Sequence, residues 1–170
     1  MKYKVLFIVA LAFSVFAGCE YESPLTNEHN IPVDSAVLGL WETVQDNSET
    51  AGSSEKMLVL KYSDTEYLVH YPIGDEAFYF RGYPIKIGNI SCVQVQLIGD
   101  ANGDIKKEER KYQVVSYELS NGELEIKTLN TDLVNKDLKE SNKLRKAFMK
   151  NRGNVELFQN PVKFVRCMKK

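Results

Sequence analysis

Hydrophobic and polar residues alternate along most of the chain after residue 36, in short runs that turn residues separate. Such alternation is typical of strands with one buried face. Short strands joined in sequence by tight turns favour a mainly β fold, an antiparallel up-and-down barrel. We predict eight strands, at residues 37–44, 57–62, 66–71, 76–87, 90–98, 111–119, 123–129 and 155–168.

Two tight turns fix the register that we predict for their hairpins. Asn-Gly is the strongest short hairpin signal, and the pair at 121–122 places Tyr117 opposite Ile126. The turn at residues 64–65 places Tyr62 opposite Tyr67. These registers predict one inward, largely apolar and aromatic face, which carries Leu58, Leu60, Tyr62, Tyr67, Val69, Tyr71, Tyr117 and Ile126.

The hydrophobic period becomes helical between Thr131 and Asn151. Asn130 or Thr131 can cap the start, and Gly153 follows the end. The pattern predicts one C-terminal amphipathic helix packed on the barrel. A helix lying on a membrane surface is the alternative, which we disfavour because its polar face mixes acidic with basic residues.

The first 18 residues predict a signal peptide. Lys2 and Lys4 precede an apolar run at 5–16, and the small residues Ala17 and Gly18 end the segment. The run is too short to cross a membrane comfortably, and no stop-transfer pattern follows it. The next residue is a cysteine, Cys19.

The sequence Phe-Ala-Gly-Cys at 16–19 resembles the lipobox of bacterial lipoproteins. The resemblance implies that Cys19 is acylated and becomes the first residue of a protein held by its lipid at the bacterial cell envelope, at the outer membrane. Residues 19–36 are polar, contain Pro24 and Pro32, and show no period, which predicts a flexible tether. Residues 37–170 then form one domain.

Gly39 and Trp41 form a Gly-x-Trp motif at the start of the first predicted strand. With the strand order and the late helix, this motif resembles lipocalin-like barrels over most of residues 37–168. The resemblance implies that Trp41 plugs one end of the barrel. An interior of eight strands is either filled by side chains or holds one small ligand. The candidate ligand-binding residues are Trp41, Tyr62, Tyr67, Tyr71 and Tyr117.

Two classes of function stay open: a binder of a small apolar or amphipathic ligand, and an interaction or inhibitor-type module with a filled barrel that contacts another envelope protein. Removal of the signal peptide leaves 20 basic against 23 acidic residues, a formal charge of −3, with no basic stripe. This balance argues against nucleic acid as a partner.

The chain has little chemistry to offer an enzyme. Of its two histidines, His29 lies in the predicted tether and His70 in a strand, and no nucleophile elbow, phosphate loop or Cys-x-x-Cys motif is present. The acidic turn at 100–104 does not match a calcium loop, because its glycine comes one place early and no glutamate closes it. We therefore predict no enzyme, no metal and no cofactor. Cys92 and Cys167 form either a disulfide or two buried free thiols.

Overall fold

A computed structural model describes residues 21–44, 54–75 and 77–167 of the chain, so the predicted signal peptide and Cys19 lie outside the described residues. The described part contains nine strands, two short 3₁₀ helices at Ser35–Val37 and Lys107–Glu109, and one α-helix, α1, at Ser141–Lys150. The strands are β1 (Gly39–Thr43), β2 (Lys56–Ser63), β3 (Glu66–Tyr71), β4 (Phe78–Ile87), β5 (Ile90–Asp100), β6 (Gly103–Asp104), β7 (Tyr112–Ser120), β8 (Glu123–Leu129) and β9 (Phe158–Arg166).

Eight of these strands close into an antiparallel barrel. They pair in the order β1-β2-β3-β4-β5-β7-β8-β9, and β9 returns to pair with β1. The two-residue strand β6 pairs with β5 alone and lies outside the closed circuit. The structure confirms the prediction of a mainly β, up-and-down barrel of eight strands with one C-terminal helix.

Apolar side chains form two cores on opposite sides of the barrel wall. The interior core includes Trp41, Phe80 and Phe164, each almost completely buried. The second core lies outside β4, β5 and β7, where Leu144 and Phe148 of α1 are fully buried. Burying one such side chain contributes about 1.5–3 kcal/mol, so the helix is held on the barrel by its apolar face, as predicted.

The hairpin between β7 and β8 has the predicted register. Tyr117 pairs with Ile126, and both Asn121 and Gly122 adopt positive φ, at 53° and 83°. A two-residue turn with positive φ at both central positions matches the right-handed twist of the strands that it joins. The Asn-Gly signal therefore identified this hairpin correctly.

The hairpin between β2 and β3 differs from its predicted register. Ser63 pairs with Glu66, but Lys61 and not Tyr62 pairs with Tyr67, so one extra residue lies in β2 as a β-bulge. A shift of one residue sends every following side chain to the other face. Met57 and Val59 therefore face inward. Leu58, Leu60 and Tyr62, which were predicted to face inward, do not belong to the interior core.

Helix α1 begins at Ser141, well after the predicted start at Thr131. The Asn130 side chain accepts a hydrogen bond from the Asp132 amide at 2.9 Å, and Asn135 does the same for Asp137 at 2.8 Å. Each asparagine thus caps a separate turn. Local backbone amides gain hydrogen bonds in this way without forming a continuous helix.

The N-terminal segment packs against the barrel from Tyr21 on, which corrects the predicted flexible tether for its described part. Tyr21 is fully buried and exchanges backbone hydrogen bonds with Tyr112 of β7. The buried Gln94 accepts a hydrogen bond from the Leu25 amide at 2.6 Å and donates one to the Thr26 carbonyl at 3.2 Å. The folded unit therefore begins before residue 37, because residues of the barrel form hydrogen bonds with the backbone of this segment.

Candidate functional site

Apolar side chains occupy most of the barrel interior that the described residues form. Within this part of the chain the interior contains a cavity of about 50 Å³. Sites for drug-sized ligands have volumes of about 300–1,000 Å³, so this cavity is small by comparison. Its walls are apolar apart from two phenols, and they are formed by Val37, Met57, Val59, Tyr67, Val69, Val93, Val95, Val115, Tyr117, Leu124 and Ile126.

Residues 33–38 cross one end of this cavity. The Asp34 amide donates a hydrogen bond to the Tyr67 hydroxyl at 2.6 Å, and the Tyr117 hydroxyl donates one to the Asp34 carboxylate at 3.1 Å. Burial raises the pKa of both phenols above the usual 10.0, so they are neutral donors and acceptors at physiological pH. The arrangement joins one carboxylate and two hydroxyls above apolar walls.

Trp41 and Arg166 hold the same segment in place. The Trp41 indole donates to the Val37 carbonyl at 2.9 Å, and the Arg166 guanidinium lies 4.5 Å from the centre of the indole ring. Arg166 also donates to the carbonyls of Leu38 and Ala36 at 2.8 and 2.6 Å.

Gly39 makes room for this arginine. A Cβ at Gly39 would lie 2.7 Å from Arg166 Nη1, and φ is +135° there, which favours glycine. The Gly-x-Trp motif thus has a local structural reason. No local pattern in the sequence indicated the role of Arg166, which follows Trp41 by well over a hundred residues.

Of the five predicted ligand-binding residues, the structure brings two together at the cavity, Tyr67 and Tyr117. Tyr71 is buried elsewhere in the interior, where its hydroxyl donates to Glu55 and its ring contacts Phe164, and burial raises its pKa. Trp41 is fully buried and does not line the cavity. Tyr62 is 67% exposed on the outside of the barrel, so its assignment to the interior was wrong.

The outside of β2, β3 and β4 carries an apolar surface that the sequence analysis missed. Backbone pairing places Leu58, His70 and Tyr79 in one row and Leu60 beside Leu68 in the next. Leu60 is 45% exposed and Tyr79 36% exposed. We call this surface the outer apolar strip and define it by Leu58, Leu60, Tyr62, Leu68, His70 and Tyr79.

His70 is the polar residue of the outer apolar strip. Its ring stacks on Tyr79 with centroids 4.6 Å apart, and its Nε2 atom is buried without a hydrogen-bond partner in the described part of the chain. Desolvation lowers the pKa of the imidazole, so it is neutral at physiological pH.

A charged cluster borders the strip. The buried carboxylate of Glu66 accepts two hydrogen bonds from Arg81 and lies 3.4 Å from His29 Nε2. His29 belongs to the segment that was predicted as a tether, so no periodicity in the sequence indicated this contact. The cluster gives the strip a polar margin.

Cys92 and Cys167 are free thiols, which excludes the disulfide that the sequence left open. Cys92 is buried in the outer core, and Cys167 follows β9, where its amide donates to the Leu40 carbonyl. The described ranges contain no group of three His, Cys, Asp or Glu side chains that could hold a metal ion.

No helix among the described residues is long and apolar enough to cross a membrane. Comparison of the chain with protein-family models, with curated proteins and with solved structures gave no match.

Proposed function

We propose that the chain is a lipid-anchored lipoprotein of the bacterial cell envelope that acts without catalysis, by contact of its barrel with another envelope protein. One combined observation supports this function best: the described cavity in the interior is small, while the outer apolar strip exposes Leu60, Tyr62 and Tyr79. The lipobox-like sequence ending at Cys19 supports the anchor.

The volume of the cavity favours a protein partner over an enclosed ligand. At about 50 Å³ the cavity accommodates a few water-sized groups and no amphipathic molecule of ordinary size. An amphipathic molecule would fit only if the interior side chains moved, and close-packed interiors resist such movement.

The outer apolar strip has the chemistry of an interface. Leu60, Tyr62 and Tyr79 are exposed on it, and the Glu66–Arg81 pair lies at its margin. An apolar centre with a polar rim is typical of protein–protein contacts.

Site-specific photo-crosslinking in the native cells tests this function. A photoreactive amino acid replaces Leu60 or Tyr79 in the strip, or Val165, an apolar residue on β9 that is similarly exposed at 39%. We expect one discrete crosslinked species from the two strip positions and none from position 165. The same species from all three positions, or none from the strip, would contradict the proposal.

The cavity supports a second candidate function, the binding of a small ligand in the barrel. Apolar walls beneath Asp34, Tyr67 and Tyr117 suit a small apolar molecule with one hydrogen-bonding group. Native mass spectrometry of the protein purified gently from its own source tests this role. A co-purifying small molecule that is lost in a Tyr117→Phe variant would favour the ligand over the protein partner.

A further inference from the structure

The outward face of α1 carries basic side chains and no acidic one. The helix buries Leu144 and Phe148 against the barrel, which turns Lys143, Lys146 and Lys150 to solvent at helical spacing, with the exposed Arg145 at their flank. The ten-residue helix contains no acidic residue. We call these four cations, Lys143, Arg145, Lys146 and Lys150, the basic face.

The acidic residues that made the predicted helix look mixed lie before it. Asp132, Asp137 and Glu140 all precede Ser141, and Glu140 pairs with Lys143 at 2.6 Å. No salt bridge of the described residues involves the other three members of the basic face. Like charges three or four residues apart destabilise a helix, so stability of the fold does not account for this face.

The N-terminal segment enters the folded domain beside the turns that precede α1. The Tyr21 hydroxyl donates to the Val134 carbonyl at 2.8 Å, and the Ser23 hydroxyl donates to the Lys139 carbonyl at 2.6 Å. Glu22 and Lys139 form an ion pair at 2.5 Å. These contacts fix the start of the described chain immediately next to the N-terminal end of the helix.

Covalent geometry keeps the proposed lipid attachment close to this point. Cys19 is joined to Tyr21 by two peptide units, which span at most about 7 Å. That reach is within about one Debye length at physiological ionic strength. The N-terminal end of α1 therefore lies close to a membrane that holds Cys19, and the basic face begins near that end, at Lys143.

We infer that the basic face binds the anionic lipid headgroups of the membrane in which Cys19 is anchored. This inference rests on the proposed anchor, and it assigns α1 a lipid partner and the barrel a fixed orientation on the membrane. The loop after the helix also presents an apolar side chain to solvent, since Val155 is 95% exposed. Basic helices beside exposed apolar residues are typical of proteins that lie on anionic bilayers.

Lysine acetylation on vesicles tests the inference. The acylated protein, isolated from membranes, is reconstituted into vesicles of phosphatidylcholine alone or mixed with phosphatidylglycerol, and acetylation rates are measured by mass spectrometry. We expect the rates at Lys143, Lys146 and Lys150 to fall about fivefold on the anionic vesicles. Lys56 and Lys61 on β2 serve as internal controls and should not change. Salt at about 1 M should abolish the difference.

A double variant distinguishes binding by the basic face from general electrostatic attraction of the protein to anionic vesicles. Lys146→Gln with Lys150→Gln should remove the protection of Lys143 on anionic vesicles, whereas Lys56→Gln with Lys61→Gln should leave it in place. Equal rates at Lys143 on both kinds of vesicle in the unaltered protein would overturn the inference.

Flotation of the same samples reports the anchor separately. Protein that floats with both vesicles but shows equal lysine rates overturns the basic face alone. Protein that fails to float with phosphatidylcholine overturns the anchor. Protein that floats only with the anionic vesicles, with Lys146 and Lys150 protected, supports the basic face and overturns the anchor.

Discussion

Two buried side chains on the outside of the barrel wall couple stability to alkaline pH. Cys92 on β5 and Tyr83 on β4 lie in the outer core beneath α1 and the N-terminal segment. Burial raises the pKa of the Cys92 thiol from 9.0 to about 12 and that of the Tyr83 phenol from 10.0 to about 12. Each group therefore stays protonated in the folded protein at pH values where the unfolded chain has released the proton.

We expect these two groups to lower the free energy of unfolding by on the order of 2–3 kcal/mol between about pH 8 and pH 10.5. Both folded pKa values are raised, so the stabilisation is complete below the unfolded values and is lost as pH rises toward 12. Urea unfolding at each pH measures the fall, and Cys92→Ala should reduce it. Wild-type stability that does not change over this range would contradict the burial of these groups.

The turn between β7 and β8 offers the sharpest test at the scale of an element. Gly122 has φ of 83° and no other group within 4 Å of an added Cβ, so a substitution there meets backbone strain and no steric contact. Gly122→Val should cost about 1–2 kcal/mol, because a β-branched residue resists positive φ.

Gly153→Val is the matched control for this turn, since its Cβ also meets open space and its φ is not in the left-handed region. Thermal unfolding of the two variants compares them directly, and the control should change stability by less than about 0.5 kcal/mol. Equal melting temperatures for both variants would mean that the turn is not strained by a side chain.

The inward face of a strand is predictable from the sequence where only one of its two faces is apolar. On β5 Val93 and Val95 alternate with Cys92, Gln94 and Gln96, and both valines belong to the interior core. On β2 residues 57–60 are apolar without a break, so the alternation does not choose a face. The bulge at Tyr62 determines which face of β2 points inward, and no turn residue marks that bulge in the sequence.

The helix shows the same limit of periodicity. Apolar residues 133, 134 and 138 continue the helical pattern of α1, but asparagine side chains cap individual turns before it. Periodicity reports which residues are buried, whereas side-chain hydrogen bonds to the backbone decide where the helix begins. The cavity residues Tyr67 and Tyr117 follow from strand parity, but Asp34 does not, because the segment at 33–38 has no period.

At the scale of the molecule, the proposed lipid anchor decides where the protein is found. Acyl chains contribute about 0.8 kcal/mol per buried methylene, so more than one chain holds a protein stably at a membrane. Cys19→Ser should move the protein to the soluble fraction after a high-salt wash, which also removes electrostatic binding by the basic face. Cell fractionation with Cys167→Ser as the control measures this. A Cys19→Ser protein that stays in the membrane pellet would contradict the anchor.

The N-terminal segment was the largest part of the fold that the sequence did not predict. Tyr21 and Leu25 are isolated apolar residues in a polar stretch, and both are buried. Their environment depends on Gln94 and Tyr112, residues from the middle of the chain. Contacts between such distant positions leave no local pattern, so they are visible only once the barrel is in place.

The pairing of β1 with β9 also sets an order in time. It joins Trp41 to Arg166, so one edge of the first strand cannot pair until the last strand is present. Synthesis proceeds from the N-terminus, and until residue 166 has been made both β1 and β8 keep an unpaired edge. Contacts so distant in sequence form slowly. The barrel therefore closes only when nearly the whole chain is available.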